Sequence, residues 1–212
     1  MDLQSQLDTK RENDGGYVPS MVVQIRDAGD NRVETDIPNT GDQALNFSLP
    51  KEDGNEVSLE NLLSNGPVIL NFFRGNFCEF CQLELKALQR SLHEFQRYKA
   101  TLVGISPSVV SIQTLGTGND PTYSYSILSD VGNKVAASYG LRYTMSNELE
   151  SMFDAFGIDL DEMSGATDEN TLSIPATFVV DTERNIIFKF ADTDYTKRAE
   201  PADIIASLIS IS

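Results

Sequence analysis

Apolar and polar positions along this chain follow two different periods, and the switches between them mark its elements. Val68, Ile69, Leu70, Phe72 and Phe73 form a short apolar run rich in β-formers, which predicts a buried strand over 67–73. Cys81, Leu85, Leu88, Leu92 and Phe95 then recur at spacings of three and four, which predicts a helix over 78–97. A second apolar run, ATLVGIS, predicts a strand at 100–106. Strand, helix and strand in this order form a β-α-β unit, whose crossover makes the two strands parallel.

The flanking segments extend the pattern. Residues 1–42 read as an N-terminal helical extension, with a polar helix from Leu3 to Asn13, a break at Gly15 and Gly16, and a second helix from Pro19 to Ala28. From Asn46 come a short strand, an Asp53-Gly54 turn and a small helix started by Ser58. Beyond Ser106 the pattern predicts a helix around Val109–Leu115, a short strand near Tyr125–Leu128 and a helix from Val131 to Tyr139. Residues 142–172 read as an insertion, with one amphipathic helix in SNELESMFDAFG and an acidic, turn-rich DLDEMSGATDEN. Two strands, 176–181 and 185–190, joined by a tight turn, and a helix from Pro201 to about Ile209 close the chain. Antiparallel strands and a helix after a β-α-β unit predict an α/β fold, a mixed sheet with helices on both faces, over 43–212.

Composition narrows the setting. A chain of 212 residues buries a sizeable core, and its length suits one domain with appendages. The formal net charge of −16 excludes nucleic acid or an anionic membrane as the main partner. The polar start MDLQSQLDTKREND holds no secretory apolar region, and no run approaches a membrane span. Two cysteines three apart are not a secreted disulfide framework, so the expected compartment is a reducing cytoplasm.

The chemistry is expected at those two cysteines, Cys78 and Cys81. Cys78 opens the predicted helix, where unpaired N–H groups and the helix dipole favour thiolate over thiol. Cys81 lies one turn on, within reach of a disulfide. Structural zinc needs about four ligands, and two cysteines with one histidine fall short, so no metal is expected. A pair of buried small hydrophobes would explain Cys81 on the apolar face better than Cys78 at the helix start. Strand, C-x-x-C and helix together are a redox signature. Arg74, four residues before Cys78, is expected to favour the thiolate, and Glu79 to oppose it slightly. His93 falls about 18 Å along the helix from Cys81, too far for a base. The acidic run at 159–169 lacks the spacing of an EF-hand loop.

The series GDQALNFSLP, NFFRGNFCEFCQLELKALQ, LVGISP, LSDVGNKVAASYGL, SIPATFVVD and ADTDYTKRAEP resembles the thioredoxin-like fold. Within it the closer resemblance is to the peroxiredoxin-like branch of the alkyl hydroperoxide reductase/thiol-specific antioxidant family. The resemblance covers about residues 38–210. It implies a cis Pro175 facing the cysteines and a shallow substrate groove formed by Phe77, Ile174 and Pro175.

Departures from that pattern bear on function. With Cys81 as the peroxidatic cysteine, the family's activating threonine is replaced by Cys78; with Cys78, by Gly75. The family's later arginine is missing too, because the residue two before Thr177 is Pro175. Arg198 lies in a family-like segment and is expected in a salt bridge or an oligomer contact, with peroxide orientation the less favoured role. The reading that follows is dithiol–disulfide exchange. Cys78 attacks and Cys81 resolves, with a thioredoxin- or glutathione-type thiol system as reductant and no cofactor. A thiol-dependent peroxidase, with Cys81 or Cys78 peroxidatic, is the alternative enzyme; a redox-sensing binding module is the alternative of another class. A sheet edge leaves room for a homodimer without demanding one.

Overall fold

A computed structural model describes residues 2–14, 37–51, 53–108, 123–145, 147–155, 157, 159 and 171–212. The expected helices at Pro19–Ala28 and Val109–Leu115, and all but the first residue of the acidic run 159–169, lie outside them.

Helix starts follow local chemistry. In α1 (Leu3–Asn13) the Asp2 carboxylate accepts the Ser5 N–H, and in α2 (Leu59–Leu63) the Ser58 hydroxyl accepts the Asn61 N–H. Short strands β1 (Ser48–Pro50) and β2 (Glu56–Ser58) pair antiparallel before α2, across a turn in which Gly54 takes φ +79°.

The central sheet is built on β3 (Val68–Phe72), every residue of which is buried. On one side β3 runs parallel to β4 (Thr101–Ser106), with Val68 opposite Thr101 and Phe72 opposite Ile105. β4 in turn runs parallel to β5 (Ser126–Ser129). On the other side β3 pairs antiparallel with β8 (Ala176–Val180), and β8 with β9 (Ile186–Ala191). The resulting order is β5-β4-β3-β8-β9, and a mixed sheet is what the sequence predicts. The crossover between β3 and β4 is the long α3 (Glu79–Arg97). Further helices are α4 (Lys134–Ser138), α5 (Asn147–Ala155) and α6 (Pro201–Ile209), the last opened by a proline in its first turn. Phe72, Tyr139 and Phe178 meet in the core with ring centroids 5.2 to 6.1 Å apart.

Two features differ from expectation. The 142–172 segment is tied at its base by β6 (Arg142–Thr144) and β7 (Thr171–Ser173), an antiparallel pair of three residues each. Such short strands carry too few positions for a period to show. Pro175 is trans, since the described residues contain no cis peptide bond. Its neighbours explain the extended path: Ile174 donates its N–H to Leu141 O at 2.8 Å and accepts the Ser173 hydroxyl at 3.1 Å. The chain therefore runs from β7 into β8 through the isomer that X–Pro bonds prefer.

α1 is packed onto the fold. Leu3 and Leu7 are buried on one stripe of this helix, and α1 lies against α3. Arg11 Nε donates to Thr196 Oγ1 at 2.6 Å, and Lys10 pairs with Glu79.

Candidate active site

The cysteine pair sits where β3 ends and α3 begins. Gly75 takes φ +134°, and a Cβ there would press on the Phe77 ring and the Ser108 hydroxyl, so only glycine fits this bend. Cys78 is the N-cap of α3. Its carbonyl accepts the Gln82 N–H at 3.0 Å, and its Sγ accepts the Cys81 N–H at 3.4 Å. The two sulphurs are unbonded and lie 2.7 Å apart, with Cys78 5% exposed and Cys81 fully buried.

Two guanidinium groups flank the pair. Arg74 follows β3 and is buried against the rings of Tyr195, Phe77 and Phe153, at 4.5, 5.5 and 5.7 Å. Arg198 arrives from the segment between β9 and α6. Its Nη2 lies 3.1 Å from Cys81 Sγ and 4.0 Å from Cys78 Sγ. Its Nε donates to Glu84 Oε2 at 2.7 Å, and its Nη1 to the carbonyls of Tyr195 and Lys197. Glu84, one turn beyond Cys81, also accepts from Asn71 Nδ2 at 3.0 Å. Besides Arg74, which the sequence reading expected to act on Cys78, a second arginine from later in the chain therefore reaches the cysteines. It comes from the C-terminal segment instead of from the strand that holds Thr177.

These neighbours separate the two thiols. Burial opposes a Cys78 thiolate, but the Cys81 thiol, Arg74, Arg198 and the Cys81 N–H outweigh it and bring its pKa to about 5. Burial, donation to Cys78 and the nearby Cys78 charge push the Cys81 thiol well up, despite Arg198. These shifts favour the thiolate on Cys78 and the thiol on Cys81, in line with the contact between the two sulphurs. Burial also pushes the Glu84 carboxyl up to about 7, against its bonds to Arg198 and Asn71.

Other expected site residues fall differently. Glu79 turns outward, its side chain 71% exposed and paired with Lys10, and it is not among the groups that act most strongly on Cys78. Phe77 is half-buried and packs edge-on against Phe153 at 5.6 Å. Ile174 and Pro175 are buried, and the Ile174 N–H is committed to Leu141, so no free N–H awaits an extended substrate there. His93 faces solvent, as its distance predicted. Glu84 escaped the sequence reading, although it lies on the apolar stripe between Cys81 and Leu88. A carboxylate in that register implies a buried cation elsewhere in the chain. Among the described residues no three His, Cys, Asp or Glu side chains are grouped to hold a metal, and no helix is long and apolar enough to cross a membrane.

The sequence signature of the AhpC/TSA family matches residues 40–189. The chain belongs to the AhpC/TSA family. It is an oxidoreductase, as relatives of two kinds agree. A provisionally named peroxiredoxin of Mycobacterium tuberculosis is 27% identical over 172 residues, 81% of this chain and 97% of that protein. The thiol-disulfide oxidoreductase ResA of Halalkalibacterium halodurans is 26% identical over 102 residues, 48% of this chain and 57% of that one. In fold, the chain is similar to the crystal structure of peroxidoxin BcpB from Mycobacterium tuberculosis. The TM-score is 0.58 at 24% identity, covering 82% of this AhpC/TSA chain and 97% of the other.

Proposed function

We propose that this AhpC/TSA protein is a two-cysteine thiol oxidoreductase in which Cys78 attacks and Cys81 resolves. The supporting observation is the position of Cys78 Sγ at the cap of α3, held as a thiolate by the Cys81 thiol and N–H and two buried guanidinium groups. In dithiol–disulfide exchange the Cys78 thiolate attacks one sulphur of a small disulfide and expels the other as a thiolate. Cys81 gives up its proton and attacks Cys78, forming the Cys78–Cys81 disulfide and releasing the second sulphur. A thiol reductant of the thioredoxin or glutathione type then restores the pair, which suits a reducing cytoplasm.

One observation favours a second oxidant, a peroxide. Arg198 brings a guanidinium to the cysteine pair, and a peroxide is small enough for a thiolate only 5% exposed. Cys78 attacks the near oxygen, the O–O bond breaks, and the leaving oxygen departs as hydroxide or alkoxide. Cys81 then attacks the Cys78 sulfenic acid, releasing water and forming the same disulfide. Residues 1–42 and the 142–172 insertion are read as additions to the catalytic domain, of which α1 packs against α3.

The test is reaction of the reduced full chain with hydrogen peroxide and with a small aromatic disulfide, followed by thiol titration. Two thiols are expected to vanish per chain with either oxidant that the protein uses. Cys78→Ser is expected to abolish the reaction, and Cys81→Ser to stall it as a sulfenic acid or mixed disulfide on Cys78. Wild-type rates in Cys78→Ser would overturn the assignment.

A further inference from the structure

Two arginines lie buried beside the cysteine pair, and among the described residues one of them keeps an edge without hydrogen bonds. Arg198 is engaged through Nε, Nη1 and Nη2. Arg74 is 2% exposed, yet among the described residues its Nε and Nη2 have no hydrogen-bond partner. Those two N–H groups share one edge of the guanidinium, the fork that matches both oxygens of a carboxylate. The buried Tyr143 hydroxyl interacts with Arg74 across a gap too long for a normal hydrogen bond, so it does not fill that edge. Aromatic rings of Phe77, Phe153 and Tyr195 wall the group in, so its donors face an apolar surround.

Charge balance links this unmatched edge to the redox state. Glu84 matches Arg198, and in the reduced protein the Cys78 thiolate matches Arg74. Forming the Cys78–Cys81 disulfide removes that thiolate charge together with the Cys81 proton. Arg74 is then a buried cation without a counter-charge, a state that costs several kcal/mol unless an anion joins it.

We propose that the Nε/Nη2 edge of Arg74 is a redox-gated carboxylate site, filled when Cys78 and Cys81 are joined and emptied when the Cys78 thiolate returns. The inference rests on the Cys78–Cys81 cycle proposed above, and it assigns the class of reductant: a small thiol carrying a carboxylate. One such thiolate attacks Cys78 Sγ, the more exposed sulphur. The Cys78–Cys81 bond breaks, and Cys81 leaves as a thiolate beside Arg198 and takes up a proton. A second thiolate attacks the reductant sulphur of the mixed disulfide, which releases the oxidised reductant and the Cys78 thiolate. Two reductant thiolates thus give two electrons. The restored charge on Cys78 removes the reason for the carboxylate to stay. Without such a site the net charge of −16 would repel an acidic reductant from this chain.

The probes are sodium propionate, matched against sodium chloride at equal ionic strength, and two thiols, 3-mercaptopropionate and 2-mercaptoethanol. Oxidised full chain, prepared with diamide, is expected to melt at a higher temperature in propionate than in chloride, and reduced chain to melt alike in both. The disulfide is expected to be reduced about tenfold faster by 3-mercaptopropionate than by 2-mercaptoethanol, per thiolate present, a factor typical of a modest coupling between two sites. Arg74→Lys keeps the charge but loses the fork, and is expected to erase both differences. Equal propionate effects in both redox states, or a slower reaction with the acidic thiol, would overturn the proposal. These wild-type comparisons decide it even when Arg74→Lys fails to fold. Should thiol titration show that diamide leaves both thiols free, the cycle itself fails and the site falls with it. A disulfide that forms but ignores propionate sinks only the carboxylate site.

Discussion

Cys78 departs from an ordinary thiol because a helix cap, a neighbouring thiol and two cations reach it at once. At pH 6 a limiting alkylating agent is expected to label Cys78 and spare Cys81, with the labelling rate falling as pH drops through about 5. The same shift sets a sign for stability. The folded pKa lies below the ordinary value of 9.0, so the thiolate's contribution is full above about pH 9 and is lost as pH falls through about 5. The difference in melting temperature between reduced wild type and Cys78→Ser is therefore expected to widen in favour of wild type from pH 5 to pH 9. Arg198→Met leaves Glu84 buried without its partner and is expected to cost about 3–5 kcal/mol in urea unfolding. Adding Glu84→Gln should recover part of that loss. At this scale the cysteines were legible because their strand and helix flank them in sequence. For Arg198 a salt bridge was legible and forms with Glu84, but its approach to Cys81 was not, because that contact spans 117 residues.

Elements were most legible where a cap or a long stripe announced them. Ser58, Cys78 and Pro201 start helices as local chemistry requires, and the apolar stripe of α3 carries its full length. β6 and β7 were invisible, since three residues pair only because the ends of the insertion meet. The docking of α1 was equally hidden, because two leucines on a polar helix do not reveal what covers them. Leu7, fully buried, is the anchor: Leu7→Ala is expected to cost about 2–5 kcal/mol in chemical denaturation. A similar loss is expected for Gly66→Ala, whose Cβ would collide with the Lys99 carbonyl at a φ of +143°.

For the molecule as a whole, the order of the core strands and helices was readable from alternating periods, and that order predicts the mixed sheet that the structure builds from five strands. What no pattern revealed was the gathering of two buried cations inside an acidic chain. With 32 acidic against 16 basic residues, self-repulsion is expected to weaken the fold at low ionic strength. Raising salt from about 10 mM to about 150 mM, which shortens the Debye length from about 30 to about 8 Å, is expected to raise the melting temperature. The effect is expected to be far smaller on Cys78 alkylation at fixed pH, because Arg74 and Arg198 act from within the protein.

Arg198 lies 120 residues beyond Cys78, and this separation times the chemistry against synthesis. A growing chain exposes both thiols long before the segment around Tyr195 and Arg198 leaves the ribosome. Until then Cys81 has no guanidinium beside it, Glu84 has no cation to meet, and Arg74 lacks one of its aromatic walls. A fragment ending near residue 190 is expected to carry Cys78 with an alkylation pKa nearer that of a free thiol. The late arrival of the C-terminal segment would keep an unfinished chain from consuming oxidant or cross-linking to its neighbours, so that reactivity is switched on by completion of the fold.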